Sequence, residues 1–165
     1  MDAVSIFTAL IVMGVFMLIF ILPTIGTKRN QKKMHAKLNG LAREHNATIT
    51  YSTILGDVII GLDEQHEIVF YFKLVKEIEN SNVIFLKEMK NCKMLNQTKS
   101  LKSKNENYNQ FEKLGLRFVP KDKTKPDTVW EFYNIEETSH LNFDLKLLEQ
   151  LGMKLNARLL PLQTV

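Results

Sequence analysis

The chain has 165 residues, a hydrophobic fraction of 45% and a formal charge of +4. That composition is ordinary for a globular protein and excludes general disorder. Without the apolar N-terminal run roughly 135 residues are left, enough for one compact domain and too few for two. Its one cysteine, Cys92, cannot form an internal disulfide and suits a reducing compartment.

No charged side chain lies between Asp2 and Lys28, and Ala3 to Leu22 is almost wholly Val, Ile, Leu, Phe, Met and Ala. A helix rising about 1.5 Å per residue needs roughly 20 such residues to span a hydrocarbon core. The stretch therefore predicts a transmembrane anchor over residues 1–26, with Pro23 and Gly26 at its end. A cleaved signal peptide fits less well, because no Lys or Arg precedes the run and no Ala-x-Ala pattern follows it. Lys28, Arg29, Lys32, Lys33 and Lys37 follow directly. By the positive-inside rule they place the N-terminus outside and the following domain on the cytoplasmic side of the cell membrane. The sequons at Asn46 and Asn96 are then unused.

Residues 27–46 predict a juxtamembrane helix, with Met34, Leu38 and Leu41 on one face. Residues 47–165 predict one domain. Strand-like runs follow at Thr48–Leu55, Val58–Leu62 and Ile68–Leu74, with turns at Gly56-Asp57 and Asp63–His66, reading as an antiparallel meander. After Glu79–Asn82 a fourth run, Val83 to Leu95, carries a phase change that would suit a bulge. Asn96 to Gln110 has no apolar period and reads as a mobile connection. Leu114, Leu116 and Phe118 alternate as a half-buried strand. Lys121–Asp127 is a turn, and Thr128–Asn134 returns with Trp130 and Phe132 on one face. A final helix carries Leu141, Leu145, Leu148, Gly152, Leu155 and Leu159, with Ser139 as expected N-cap and Pro161 at its end.

The expected fold class is thus α+β: an N-terminal transmembrane helix, then an antiparallel sheet or open barrel of about six strands with a C-terminal amphipathic helix. The tail Trp130-Glu131-Phe132-Tyr133, a polar turn and the leucine-striped helix carry a resemblance to small bacterial membrane-anchored domains of pleckstrin-homology-like fold. The run Val83 to Met94 resembles their middle strand. The resemblance implies two sheets forming an open barrel plugged by the last helix, and it brings no catalytic or ligand motif with it.

The chain carries no phosphate loop, nucleophile elbow, zinc-helix motif or Cys-x-x-Cys. Its four histidines, His35, His45, His66 and His140, lie in separate elements and read as solvated or capping groups. Asp63, Glu64, His66 and Glu67 are the densest titratable set and read as a soluble turn. Cys92 beside Lys90 and Lys93 reads as a small core residue, and Trp130 as a core anchor. No enzyme activity, metal or cofactor is expected. The expected function is a non-catalytic binding or scaffold module for a protein partner or the anionic leaflet. A small-molecule-binding domain or enzyme, and an accessory subunit of a membrane complex, are the alternatives. The candidate lipid or partner contacts are Lys28, Arg29, Lys32, Lys33 and Lys37, with Lys87, Lys90 and Lys93 from a second basic cluster that continues to Lys99, Lys102 and Lys104. Arg and exposed aromatics are scarce, which argues against nucleic acid.

Overall fold

A computed structural model describes residues 13, 28–102, 107–138 and 140–163. The chain divides into two compact units, Met1–Ala36 and Lys37–Val165. In the first, residues 28–36 are helical and Lys28, Arg29, Lys32 and Lys33 are exposed. In the second unit, residues 37–44 are helical and form α1.

Among the described residues, the second unit holds seven strands. β1 (Tyr51–Leu55), β2 (Val58–Asp63), β3 (Ile68–Val75) and β4 (Ile78–Phe85) form one antiparallel sheet in chain order. β5 (Met89–Lys102), β6 (Asn107–Pro120) and β7 (Thr128–Asn134) form another. Helix α2 (Leu145–Leu159) follows.

The inner strands β2 and most of β3 are buried on both faces, which is why they read as continuous apolar runs rather than alternations. Ile60, Leu62, Val69 and Tyr71 face the second sheet. Ile59, Phe70 and Phe72 point the other way and are also buried. Leu38 of α1 lies over β2 at Gly61, where an added Cβ would meet Leu38 Cδ2 at 2.9 Å and Ile49 Cδ1 at 3.0 Å. The core between the sheets takes Leu114, Leu116 and Phe118 from β6, Trp130 and Phe132 from β7, and Leu148, Leu151, Leu155 and Leu159 from α2.

Several expectations need correction. The fold has seven strands in two separate sheets of four and three, not about six in one sheet or barrel. Among the described residues no helix is long and apolar enough to cross a membrane. The expected anchor lies, save for Met13, outside the described residues. The single run expected over Val83–Leu95 is two strands in different sheets. A 3-10 turn at Leu86–Glu88 separates them, burying Leu86 in the core as the chain swings from β4 to β5. The connection expected over Asn96–Gln110 is instead the far end of the β5–β6 hairpin, paired as far as Lys102↔Asn107. Its ladder is made by backbone groups, which apolar periodicity does not report. Helix α2 starts four residues after Leu141, with Asp144 as N-cap accepting from Lys146 N at 2.9 Å; Ser139 lies outside the described residues.

One side chain ties α2 to the second sheet. β5 is an edge strand, so its outward backbone groups need partners. Cys92 N donates to Asn156 Oδ1 at 2.9 Å, and Asn156 Nδ2 donates to Cys92 O at 2.6 Å. We predict that Asn156→Ala, which leaves both Cys92 groups unpaired beneath the helix, lowers stability by about 2 kcal/mol. Urea unfolding should show a lower midpoint at unchanged slope; an unchanged midpoint would mean that packing alone holds the helix.

Candidate functional site

Beside the core lies a cavity of about 350 Å³. Its floor is the inner face of the β3–β4 hairpin. Tyr71, Lys73 and Val75 alternate along β3, in register with Asn82, Asn80 and Ile78 of β4. Its other wall is β7 from Val129 to Glu131 together with Glu136 and Glu137 beyond it. Lys76 sits at the hairpin tip.

Lys73 is the unusual member, a lysine only 7% exposed. Its Nζ lies 2.6 Å from Glu137 Oε2 and 3.7 Å from Glu131 Oε1, so the charge is compensated as a buried ammonium requires. Glu131 is a hub. Its carboxylate also meets Lys113 Nζ at 3.4 Å and accepts from Asn134 Nδ2 at 3.0 Å. Its backbone carbonyl accepts from the Tyr71 hydroxyl at 2.6 Å. Burial, reinforced by the Glu131 and Glu137 charges, pushes the Tyr71 phenol far above its ordinary value, so it stays a proton donor. Trp130 lines the same cavity, and its buried indole N–H has no partner among the described residues.

This arrangement fixes polar groups in place among the apolar side chains of Val75, Ile78 and Val129. Lys73 is held by carboxylates, and Tyr71 keeps its proton. Asn80 and Asn82 offer amides that both donate and accept. Such a set can offer a ligand both hydrogen bonds and charge.

The other candidate chemistry resolves into structural roles. Asp63 is fully buried at the β2–β3 turn. Thr48 N donates to Oδ2 at 2.8 Å, while Gln65 N and His66 N donate to Oδ1 at 2.9 and 3.0 Å. His66 Nδ1 lies 2.8 Å from Oδ2. Glu64 and Glu67 both pair with Arg158 of α2, at 2.8 and 3.2 Å. The acidic turn therefore clasps the C-terminal helix. Cys92 is buried, and burial pushes its thiol up to about 12, which leaves no thiolate for nucleophilic work. The His45 ring packs against Phe70 and Phe85, with centroids 5.9 and 6.0 Å away. Among the described residues no three metal-ligating side chains converge.

The expected basic contacts are only partly brought together. Lys28, Arg29, Lys32 and Lys33 lie in the first unit; Lys37, Lys87, Lys90 and Lys93 lie in the second. Lys37 pairs with Glu79 at 2.8 Å. Lys87, Lys90 and Lys93 are exposed around the start of β5, and pairing with β6 sets Lys93 directly opposite Arg117, also exposed. Arg117 was not among the expected contacts, because only strand register reveals it. The groove residues were missed too. One signal for them was present in the sequence: Lys73 interrupts the apolar run Ile68–Val75 at a position of the same parity as Val69 and Tyr71. Comparison with protein-family models, curated proteins and solved structures finds no match to this chain.

The Asp63 site has a measurable consequence. Burial alone would raise its carboxyl, but the hydrogen bonds from the His66 ring and from the His66, Thr48 and Gln65 amides outweigh it and lower the pKa from 3.8 to about 2. A pKa depressed on folding contributes stability above the unfolded value and loses it as pH falls through the folded one. We predict about 2 kcal/mol from this group at neutral pH, lost between about pH 4 and pH 2. Asp63→Asn should flatten the acid limb of a stability-versus-pH curve; an unaltered limb would assign acid lability to other carboxylates.

Proposed function

We propose that the second unit is a non-catalytic binding module whose recognition site is the groove between the β3–β4 hairpin and β7, taking a segment of a protein partner. The observation that carries this reading is the mix of lining groups on a rigid sheet: a compensated Lys73, the Asn80 and Asn82 amides, and apolar Val75, Ile78 and Val129. Sites built on strands hold their geometry better than sites built on loops. The pleckstrin-homology-like resemblance is part of the same proposal, supported by seven strands split four and three ahead of a C-terminal helix. So is a location at the cytoplasmic face of the cell membrane, which the cluster Lys28, Arg29, Lys32 and Lys33 supports.

The groove is tested with a photo-crosslinking benzoylphenylalanine at Asn80 of the full chain in its native cells. A discrete adduct with a protein other than a second copy of this chain is expected; it does not form from Met153, which is exposed on α2, and it disappears when Val129→Arg blocks the groove. Absence of a protein adduct specific to Asn80 rejects the reading.

A second face is favoured by one observation: Lys93 sits opposite Arg117 across the ladder. Like charges directly opposite each other repel unless an anion lies over them. We propose that this face, with Lys87 and Lys90, meets anionic head groups. Replacing phosphatidylcholine vesicles by ones containing phosphatidylserine should strengthen binding of the full chain. Lys93→Glu with Arg117→Glu should remove at least tenfold of that gain, at about 1 kcal/mol per charge. Equal binding of parent and variant to both vesicle types would reject the anionic face.

A further inference from the structure

Four strands stand at the ends of the two sheets: β1, β4, β5 and β7. β1 is short, and β5 and β7 each have backbone groups of one residue held by a side chain. β1 has five residues. The β5 backbone is held at Cys92 by Asn156, and the β7 carbonyl of Glu131 is held by the Tyr71 hydroxyl. β4 differs. It is eight residues long, with residues 78–82 exposed. It runs beside β3 without a register shift. Its sequence, IENSNVIF, contains no lysine and no proline. Natural sheets protect exposed edges with lysines, prolines, bulges or shortness, because an unguarded edge is a template for another strand. Among the described residues no strand pairs with the outer edge of β4.

We propose that β4 pairs antiparallel with β4 of a second copy of this chain, joining two four-stranded sheets into one continuous sheet across a two-fold axis. Closed two-fold pairing is the commonest symmetry of soluble oligomers and leaves no open end to propagate. The axis must stand perpendicular to the sheet, so that the inner faces of both copies lie on the same side. Facing residues then share parity, and only a few registers are available.

With Ser81 on the axis, Asn80 faces Asn82 of the second copy, Glu79 faces Val83, and Ile78 faces Ile84. Amide meets amide. The exposed Ile78, 73% open to solvent, meets an aliphatic side chain. Glu79, the one charged residue of the strand, faces no acid. Moving the axis to Asn82 sets Glu79 against Phe85 and Asn80 against Ile84. Moving it to Asn80 sets Ile78 against Asn82. Of the three, the Ser81 register is the one that pairs amide with amide and Ile78 with an aliphatic side chain. It also places Asn82 of the second copy beside Asn80 on the inner face, so the second copy extends the rim of the groove. The inference does not depend on what the groove binds.

The register fixes the test. Residues directly opposite in an antiparallel pair have Cα atoms about 4.5–5.5 Å apart, within the span a disulfide bridges. The full chain carrying Ser81→Cys should form a covalent dimer under mild oxidation. A mixture of Asn80→Cys and Asn82→Cys chains should yield the mixed dimer ahead of either homodimer. Met153→Cys, also exposed and on α2, serves as the control, and the native Cys92 is buried and contributes little. In sedimentation of the full chain, Ser81→Lys should turn a dimer into a monomer by setting two lysines face to face, with far-ultraviolet dichroism unchanged. A monomeric parent overturns the proposal. So does a dimer that survives Ser81→Lys, or a Ser81→Cys chain that cross-links no better than the Met153→Cys control.

Discussion

Trp130 and Tyr71 stack with their ring centroids 5.2 Å apart, one from each sheet, and Phe118 meets the indole edge-on at 4.6 Å. This aromatic contact bridges the two sheets and decides what lies on either side of it. On the core side it is continuous with the leucines of β6 and α2. On the other side the Tyr71 hydroxyl reaches the Glu131 carbonyl and becomes part of the groove wall. The contact also makes a demand on the backbone. A Cβ at Gly115 would lie 2.5 Å from the Trp130 carbonyl, so β6 can lie this close to β7 only because residue 115 has no side chain. The register shift between Leu114 and Gly115 falls at the same place, where the extra residue in β7 lets the consecutive Phe132 and Tyr133 both enter the core.

Two buried charges show how the same constraint is met in different ways. Asp63 is enclosed by fixed donors, the Gln65 and His66 amides and the His66 imidazole of its own turn and the Thr48 amide ahead of β1, and its role ends with the shape of that corner. Lys73 is compensated by carboxylates from β7 and the turn after it, distant in sequence, and it faces a cavity. A charge satisfied locally is structural. A charge held by remote partners at the rim of a cavity can exchange one of them for a ligand group, because removing water from the rim strengthens every charge there. That difference, more than the presence of titratable residues, separates the groove from the acidic turn.

Much of the fold was legible because apolar runs and turn residues coincide. Val58–Asp63, Ile68–Val75 and Thr128–Asn134 stand close to where alternation, Gly56-Asp57 and the Lys121–Asp127 turn place them. Periodicity failed where tertiary pairing replaces it. The apolar residues Val83 to Leu86 continue across the point where the chain leaves one sheet for the other, so nothing in hydropathy marks the break. The β5–β6 hairpin beyond Gln97 carries no apolar face, so its strands could not be told from a loop. The groove was invisible for a related reason. Its residues come from positions 71 to 82 and 129 to 137, and only the facing of two sheets brings them together.

The composition of one sheet face then explains why the site is where it is. Along the inner side of β3 the residues pass from Val69 and Tyr71, buried, through Lys73, buried but charged, to Val75, half-buried. Along β4 the matching series runs from buried Ile84 to exposed Asn82, Asn80 and Ile78. The second sheet covers the first part of that face and stops. Where it stops, the side chains change from those that exclude water to those that bond it, on a backbone held by the same ladder throughout. The groove is therefore the exposed continuation of the core. Its floor takes its rigidity from the buried half of the same strands, which is what a surface needs in order to bind without first paying to become ordered.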